Sequence, residues 1–472
     1  MKSIFHPFFT LVLIAGLFPA GILQGNSPVP ANPSVKYIQR TMKALEESTA
    51  ENPAQVRVLF YGQSIVAQEW TNTVQETLQK RYPTVQFTFA NKAIGGCMSP
   101  GLVRTAESDL YPWYPDLLFF HVYGDLDKYR EIIQNVRERT TAEIILWSSH
   151  LNGGQMPEGF LKDRGERTTT IEKIAQEFKC TYIDLNLKWC HLLIKNKWHP
   201  THLLRDGIHL NQEGCKYYAQ FILEELVRLP GVNTDELSSG RITRISVNDP
   251  AVRKNPDGSL TLNFHGNRVC AVVKGEVQGE VQENASDAVE EEKTEGNVSL
   301  LLDGKPVAEY RELWAHTRTS SATGWKPGIF TIGFRAPLRK EVWTLTALPD
   351  SNEDGSRIHY RVEGSVTGFD GEGWSDVYFI SRSRRVIIER GDYDLEQHRY
   401  SKIKVTKNYR LQWESYPLFA ESLIPTTTEP LVLLQNCANA DHTLTIQPKE
   451  SDAKIEAFLI YSPAWKFSAG WK

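Results

Sequence analysis

Between Gln55 and about Leu229, short apolar runs alternate with longer stretches whose apolar residues recur every three or four positions. That alternation predicts a parallel sheet with helices packed on both faces, because strands buried on both sides read as near-continuous hydrophobic runs. The runs VRVLFY (56–61), VQFTFA (85–90), DLLFFHV (116–122), EIILWSS (143–149) and CTYIDL (180–185) predict five strands. Helices are expected over 65–81, 126–139 and 168–178. A last one, over about 212–228, has Tyr218, Phe221, Ile222 and Leu226 at helical spacing. A leading helix places Ile38, Met42 and Leu45 on one face.

After RLPGVNTDELSSG the pattern changes. Hairpin signals such as NPDGS and NEDGS separate alternating runs such as EVWTLTAL, TLTIQ and IEAFLIY, so the second half reads as all-β, sandwich-like. The expected division is an α/β domain over 34–230 and a β domain over 240–472. Within the latter, residues 275–297 hold eight acidic residues against one lysine and almost nothing to bury, which reads as a solvated loop.

A chain of 472 residues has room for both domains. Its formal charge of −4 offers no electrostatic attraction to nucleic acid or to an anionic membrane. The first residues change the picture more. Lys2, an apolar run over 8–18 and then small residues and prolines have the layout of a secretory signal peptide over 1–24, so secretion or a periplasmic location is expected. No later stretch approaches the roughly 20 apolar residues that span a bilayer, so no stable membrane insertion is expected. The six cysteines lack CxxC spacing, which signals no zinc site; Cys180 and Cys190 are the pair an exported chain has available to bridge. Nothing in the sequence sets an oligomeric state.

The candidate chemistry lies at the expected carboxyl ends of the strands, where open α/β sheets collect reactive groups. Ser64, in FYGQSIVAQEW, follows the first strand and is either a helix cap or a nucleophile. In RDGIHLNQEG, read as a loop after the fifth strand, Asp206 precedes His209 by three residues. At that spacing a carboxylate reaches one imidazole nitrogen and leaves the other free to take a proton from a serine hydroxyl. In NKAIGGCMS, after the second strand, paired glycines let the backbone approach a substrate and turn N–H groups inward.

With these three blocks together, the chain resembles the SGNH hydrolases, also called the GDSL family of esterases and lipases, over roughly 56–226. Gly62, Gln63, Ser64 and Ile65 stand where that family has Gly-Asp-Ser-Leu, Gly96 stands at the oxyanion glycine, and Asp206 and His209 match the final block. The resemblance implies a flavodoxin-like three-layer α/β/α domain and metal-independent ester hydrolysis without a cofactor, with the Ser64 and Gly96 N–H groups as oxyanion donors. Two positions depart from the family pattern. Gln63 replaces its aspartate, outside the triad, and Asp125, within Tyr123, Gly124, Asp125 and Leu126, replaces the oxyanion asparagine.

The expected function is that of an exported esterase that removes acyl groups, most simply acetyl, from a poly- or oligosaccharide. Lipid, thioester or aryl ester substrates remain open, as does a carbohydrate-binding module that has lost catalysis. Trp325, in TGWKPG, and Trp374, in TGFDGEGWSD, are candidates to stack on a sugar ring, or else core residues. Asp370, Glu372 and Asp376 fit no standard calcium-loop spacing, and no metal is expected.

Overall fold

The computed structural model describes residues 32–234, 240–274, 298–321, 325–394, 404–405, 408–424, 429–448 and 454–465. The expected signal peptide (1–24) and the acidic loop (275–297) lie outside the described residues.

The first half contains strands β1 (Gln55–Gly62), β2 (Gln86–Asn91), β3 (Leu117–His121), β4 (Glu143–Trp147) and β5 (Thr181–Ile183). All neighbours are parallel, in the order β2-β1-β3-β4-β5, the flavodoxin-like order. Its helices are α1 (Gln39–Glu46), α2 (Trp70–Arg81), α3 (Ser99–Asp109), α4 (Leu126–Arg139), α5 (Pro157–Lys162), α6 (Gly165–Glu177), α7 (Leu185–Asn196) and α8 (Gln212–Leu223). The period-two pleat sends Val58, Phe60, Phe119 and Ile145 to one face, against Met42, Val74, Trp189 and Ile222 from α1, α2, α7 and α8. Leu59, Tyr61, Phe120 and Ile144 point to the other, against Leu102, Ile132 and Ile171 from α3, α4 and α6. With both faces covered, every residue of β3 and β4 is buried.

Three helices were not legible in the pattern: α3, α7 and the six-residue α5. Helix α3 begins Ser-Pro-Gly, a poor helix signal, yet proline is tolerated in the first turn, where its missing N–H has no intrahelical partner. Helix α7 follows β5 directly because Asp184 caps it, accepting from the Leu187 N–H, so no turn residues mark the change.

The second half, read as sandwich-like, holds a seven-stranded and a five-stranded antiparallel sheet with separate cores, and a small two-stranded pair. Strands β6 (Gly240–Ser246), β7 (Val252–Lys254), β8 (Leu260–Lys274), β9 (Val298–Leu302) and β10 (Lys305–Pro306) belong to the outer sheet. The chain then forms an inner module with β11 (Trp314–His316), β12 (Glu341–Ala347), β13 (His359–Gly364), β14 (Gly368–Trp374), the pair β15 (Phe379–Ile380) and β16 (Ile387–Ile388), and β17 (Arg410–Pro417). It returns to the outer sheet with β18 (Leu431–Pro448) and β19 (Lys454–Pro463). In β8, Leu262 and Phe264 share a core with Val269 and Ala271, a change of parity that accompanies the register shift against β18 between Gln435 and Ala440.

Both β units lean on the α/β half. Arg268 lies between the rings of Tyr114 (4.6 Å) and Tyr461 (4.8 Å), and the Tyr114 hydroxyl donates to Asn267 (2.9 Å). The inner module covers α3. Arg104 pairs with Asp392, Arg318 reaches buried Asp109 (3.0 Å), and a Cβ on Gly101 would stand 3.1 Å from the Phe330 ring.

Candidate active site

Strand β1 ends at Gly62, where any Cβ would stand 2.1 Å from the carbonyl oxygen of His121, so glycine lets the tip of β1 close on β3. The chain then turns at once, with the Val66 and Ala67 N–H groups donating to the Gln63 carbonyl (2.8 and 3.2 Å). Helix α2 starts only at Trp70, five residues later than Ile65, where the sequence pattern placed it. Ser64 therefore caps no helix. Its Oγ lies 2.9 Å from His209 Nε2, and His209 Nδ1 lies 2.8 Å from Asp206 Oδ2.

The other Asp206 oxygen accepts the backbone N–H of His209 (2.8 Å) and of Ile208 (3.1 Å). Those bonds, the His209 N–H first and its imidazole next, hold the carboxyl down at about 2, although the side chain is half-exposed. An ionised Asp206 accepts a hydrogen bond from Nδ1–H and so holds the proton on Nδ1, leaving Nε2 as an acceptor for the serine hydroxyl. The loop that carries both residues follows α7 and a short helix, Pro200–Leu203, rather than following β5 directly. It is steadied from above by His150, whose Nε2 lies 2.7 Å from the Ile208 carbonyl.

Gln63 adds a competing contact. Its Oε1 is 2.8 Å from Ser64 Oγ and also accepts the Ile65 N–H (3.2 Å), while its own amide N–H group is buried without a partner. The serine hydroxyl has one proton and two acceptors, His209 and Gln63.

The glycine loop is a four-residue turn closed by the Cys97 N–H on the Ile94 carbonyl (3.1 Å), with Gly96 in its third position at φ +66°. That backbone conformation favours glycine, and Gly96 lines the same cleft as Ser64. Asp125 is a correction to the family pattern. It is exposed, and its carboxylate caps α4 by accepting the Lys128 N–H (2.9 Å), so it donates nothing to an oxyanion.

The cleft has a volume of about 580 Å³. Much of its wall comes from the connection between β4 and α6, including His150, Asn152, Gln155 and Arg164, and from Arg167 in the first turn of α6, none of which the sequence reading singled out. Their one signal was the length of that polar, glycine-containing connection at the carboxyl end of a strand. Burial keeps His150 neutral, its pKa lowered to about 4, and does the same for His121 on β3, lowered to about 3.

The two candidate tryptophans part company. Trp325 of the inner module is 55 % exposed, and its indole Nε1 comes within 3.9 Å of where a Gly96 Cβ would be, with Lys326 beside it. Trp374 does not line the cleft. It stacks on His359 (4.3 Å, 4°) under Arg357 (3.8 Å), at the edge strand of the inner sheet. Asp370 is buried and bonded to Ser383, and Asp376 pairs with Arg357, so these carboxylates serve separate partners. Among the described residues no group of three or more His, Cys, Asp or Glu is placed to hold a metal ion. All six cysteines are free and buried, Cys180 and Cys190 included.

No family model and no curated protein matches the chain. Among solved structures it is similar to an acetylxylan esterase from Geobacillus stearothermophilus, at 20% identity over 38% of this chain and 95% of that one, with a TM-score of 0.32. It is also similar to a two-domain esterase active on acetylated mannans, at 13% identity over 90% of this chain and 95% of that one, with a TM-score of 0.36. A third likeness is to a GDSL-like lipase from Parabacteroides merdae, at 15% identity over 36% and 95% of the two chains, with a TM-score of 0.32.

Proposed function

We propose that the protein is an exported serine esterase that removes acyl groups, acetyl above all, from a carbohydrate. The observation that carries this reading is the hydrogen-bonded chain from Ser64 through His209 to Asp206, opening into a cleft that Gly96 also lines. Ser64 Oγ attacks the ester carbonyl as His209 Nε2 takes its proton, and Asp206 stabilises the imidazolium. The N–H groups of Ser64 and Gly96 receive the developing oxyanion. His209 returns the proton to the departing sugar hydroxyl, water enters by the same route in reverse, and the carboxylic acid leaves. No step calls on a cofactor.

Carbohydrate is favoured by the exposed indole of Trp325 beside the glycine turn, since an aromatic face suits a sugar ring. The test is acetate release from a panel of acetylated plant, algal and bacterial polysaccharides, with phospholipids and aryl acetates alongside. Release that stops in Ser64→Ala supports the proposal. A wild-type protein that cleaves only lipid esters, or that fails to react with a serine-directed phosphonate, overturns it.

A further inference from the structure

Among the described residues, Arg164, Arg167 and Lys326 stand at or beside the cleft, and Arg164 and Lys326 are neutralised within the protein. Arg164 lies between Glu172 (2.9 Å) and Asp184, and Lys326 is 3.5 Å from buried Asp394. Arg167 is different. Its terminal nitrogens donate to the carbonyls of Gly124 (2.8 Å) and Val122, and its guanidinium lies 5.5 Å from the centre of the Tyr123 ring. Among the described residues no carboxylate is paired with it.

Arg137 supplies an internal reference. It is wholly buried, and its three nitrogens bond to the carbonyls of Phe178 (2.8 Å), Ala142 (2.6 Å) and Lys179 (2.9 Å). Arg137 does not line the cleft. Arg167 lines the open cleft with no carboxylate beside it among the described residues, and its charge pushes buried His121 further towards the neutral form. An uncompensated guanidinium in a partly desolvated cleft destabilises the empty site and attracts an anion, and its planar fork matches a carboxylate. Exposed Glu166, in the same wall, opposes a highly charged ligand more than a single carboxylate.

We propose that Arg167 marks a subsite for a substrate carboxylate, so that the acylated carbohydrate contains uronic acid residues; this rests on the esterase reading and deepens it. Ser64→Ala retains substrate without turning it over, so binding is measured on that variant by calorimetry. Acetylated galacturonate oligosaccharides should bind about tenfold or more tighter than acetylated xylo-oligosaccharides of equal length, and the advantage should shrink as ionic strength rises. Adding Arg167→Gln should remove the advantage, and in the active enzyme the acidic-to-neutral ratio of kcat/KM should fall by a similar factor, chiefly through KM. If Arg167→Gln does not fold, Arg167→Lys keeps the charge without the fork and should lower the same ratio in part. Equal binding of the two sets overturns the proposal, and so does an Arg167→Gln that weakens both alike, as a mere tie for the 122–124 loop would. Failure of the wild type to release acetate from either set, with the acidic preference of Ser64→Ala intact, would sink the esterase reading and leave the subsite standing.

Discussion

The loops at the carboxyl edge of the parallel sheet and the inner β module meet at Gly96, and they are built on opposite terms. At the sheet edge, Ser64 and Gly96 leave the ends of strands whose positions are fixed by two buried cores, and His209 is clamped by bonds within its own short loop. Trp325 reaches the same place from a separate sheet, held against the α/β half by contacts such as Arg104 with Asp392 and Arg318 with Asp109. The difference teaches that chemistry and recognition have separate supports. Under the proposed function, reaction would depend on backbone geometry inside one domain, while recognition at Trp325 would depend on how two domains dock.

If that division is right, the largest effects belong to the sheet edge and fall on every substrate alike. Ser64→Ala and His209→Ala should each lower kcat on order of 10⁴–10⁶-fold with the fold intact, because such groups act as a unit. Asp206→Asn should cost on the order of 10³–10⁴, in kcat more than in KM. Near-normal turnover in any of the three erases the distinction.

The module should show a smaller and selective effect. Trp325→Ala should raise KM for an acetylated polymer by about 3- to 10-fold while sparing a small aryl acetate, on the scale of a single aromatic contact. Trp374→Ala should change neither, because its ring is already occupied by His359 and Arg357. Equal loss on polymer and aryl acetate in Trp325→Ala would assign it to packing.

Asp125 should behave as a structural part of the sheet edge. Asp125→Asn keeps the cap on α4 and should leave turnover unchanged, whereas Asp125→Ala should cost about 1 kcal/mol of stability in a denaturant titration. A large drop in kcat for Asp125→Asn would give the carboxylate a role in the reaction.

The last effect is one of pH, and it falls on stability rather than on turnover. Unfolded histidine takes its proton near 6.5, whereas buried His121 and His150 resist it until about 3 and about 4. Their contribution is therefore fully present above about 6.5 and is lost as the pH falls through that window. Melting temperature should decline from pH 7 to pH 5, and His121→Gln, which keeps a hydrogen-bonding group and removes the titration, should flatten the decline.

The sheet and the serine–histidine–aspartate set were legible because their signals are local. Apolar runs declare buried strands, and Asp206 and His209 are three positions apart. The rest depends on contacts distant in sequence. Trp325 and Trp374 look alike in isolation, and only the docking of the inner module on α3 sends one to the glycine turn at Gly96 and the other to an edge strand. Arg167 lies in a helix start with no motif, and its meaning comes from the carbonyls of Val122 and Gly124 that it meets. Ser64 resembled a helix cap because a run of helix-compatible residues follows it, while the turn that delays α2 is closed by backbone bonds that leave no residue signature.

The inner module is spliced between segments of the outer sheet, and this bears on the order in which the protein matures. Strands β8 and β18 pair across great sequence distance, as where Thr443 meets Asn263, 180 residues away. Such pairings close slowly, because the chain between them must be ordered first, whereas the α/β half gathers its strands from a continuous stretch of chain. In a refolding experiment, hydrolysis of a small acetate should therefore return in an earlier kinetic phase than discrimination among polymers. Under the proposed function, a nascent molecule should pass through a stage in which it is reactive before it is selective.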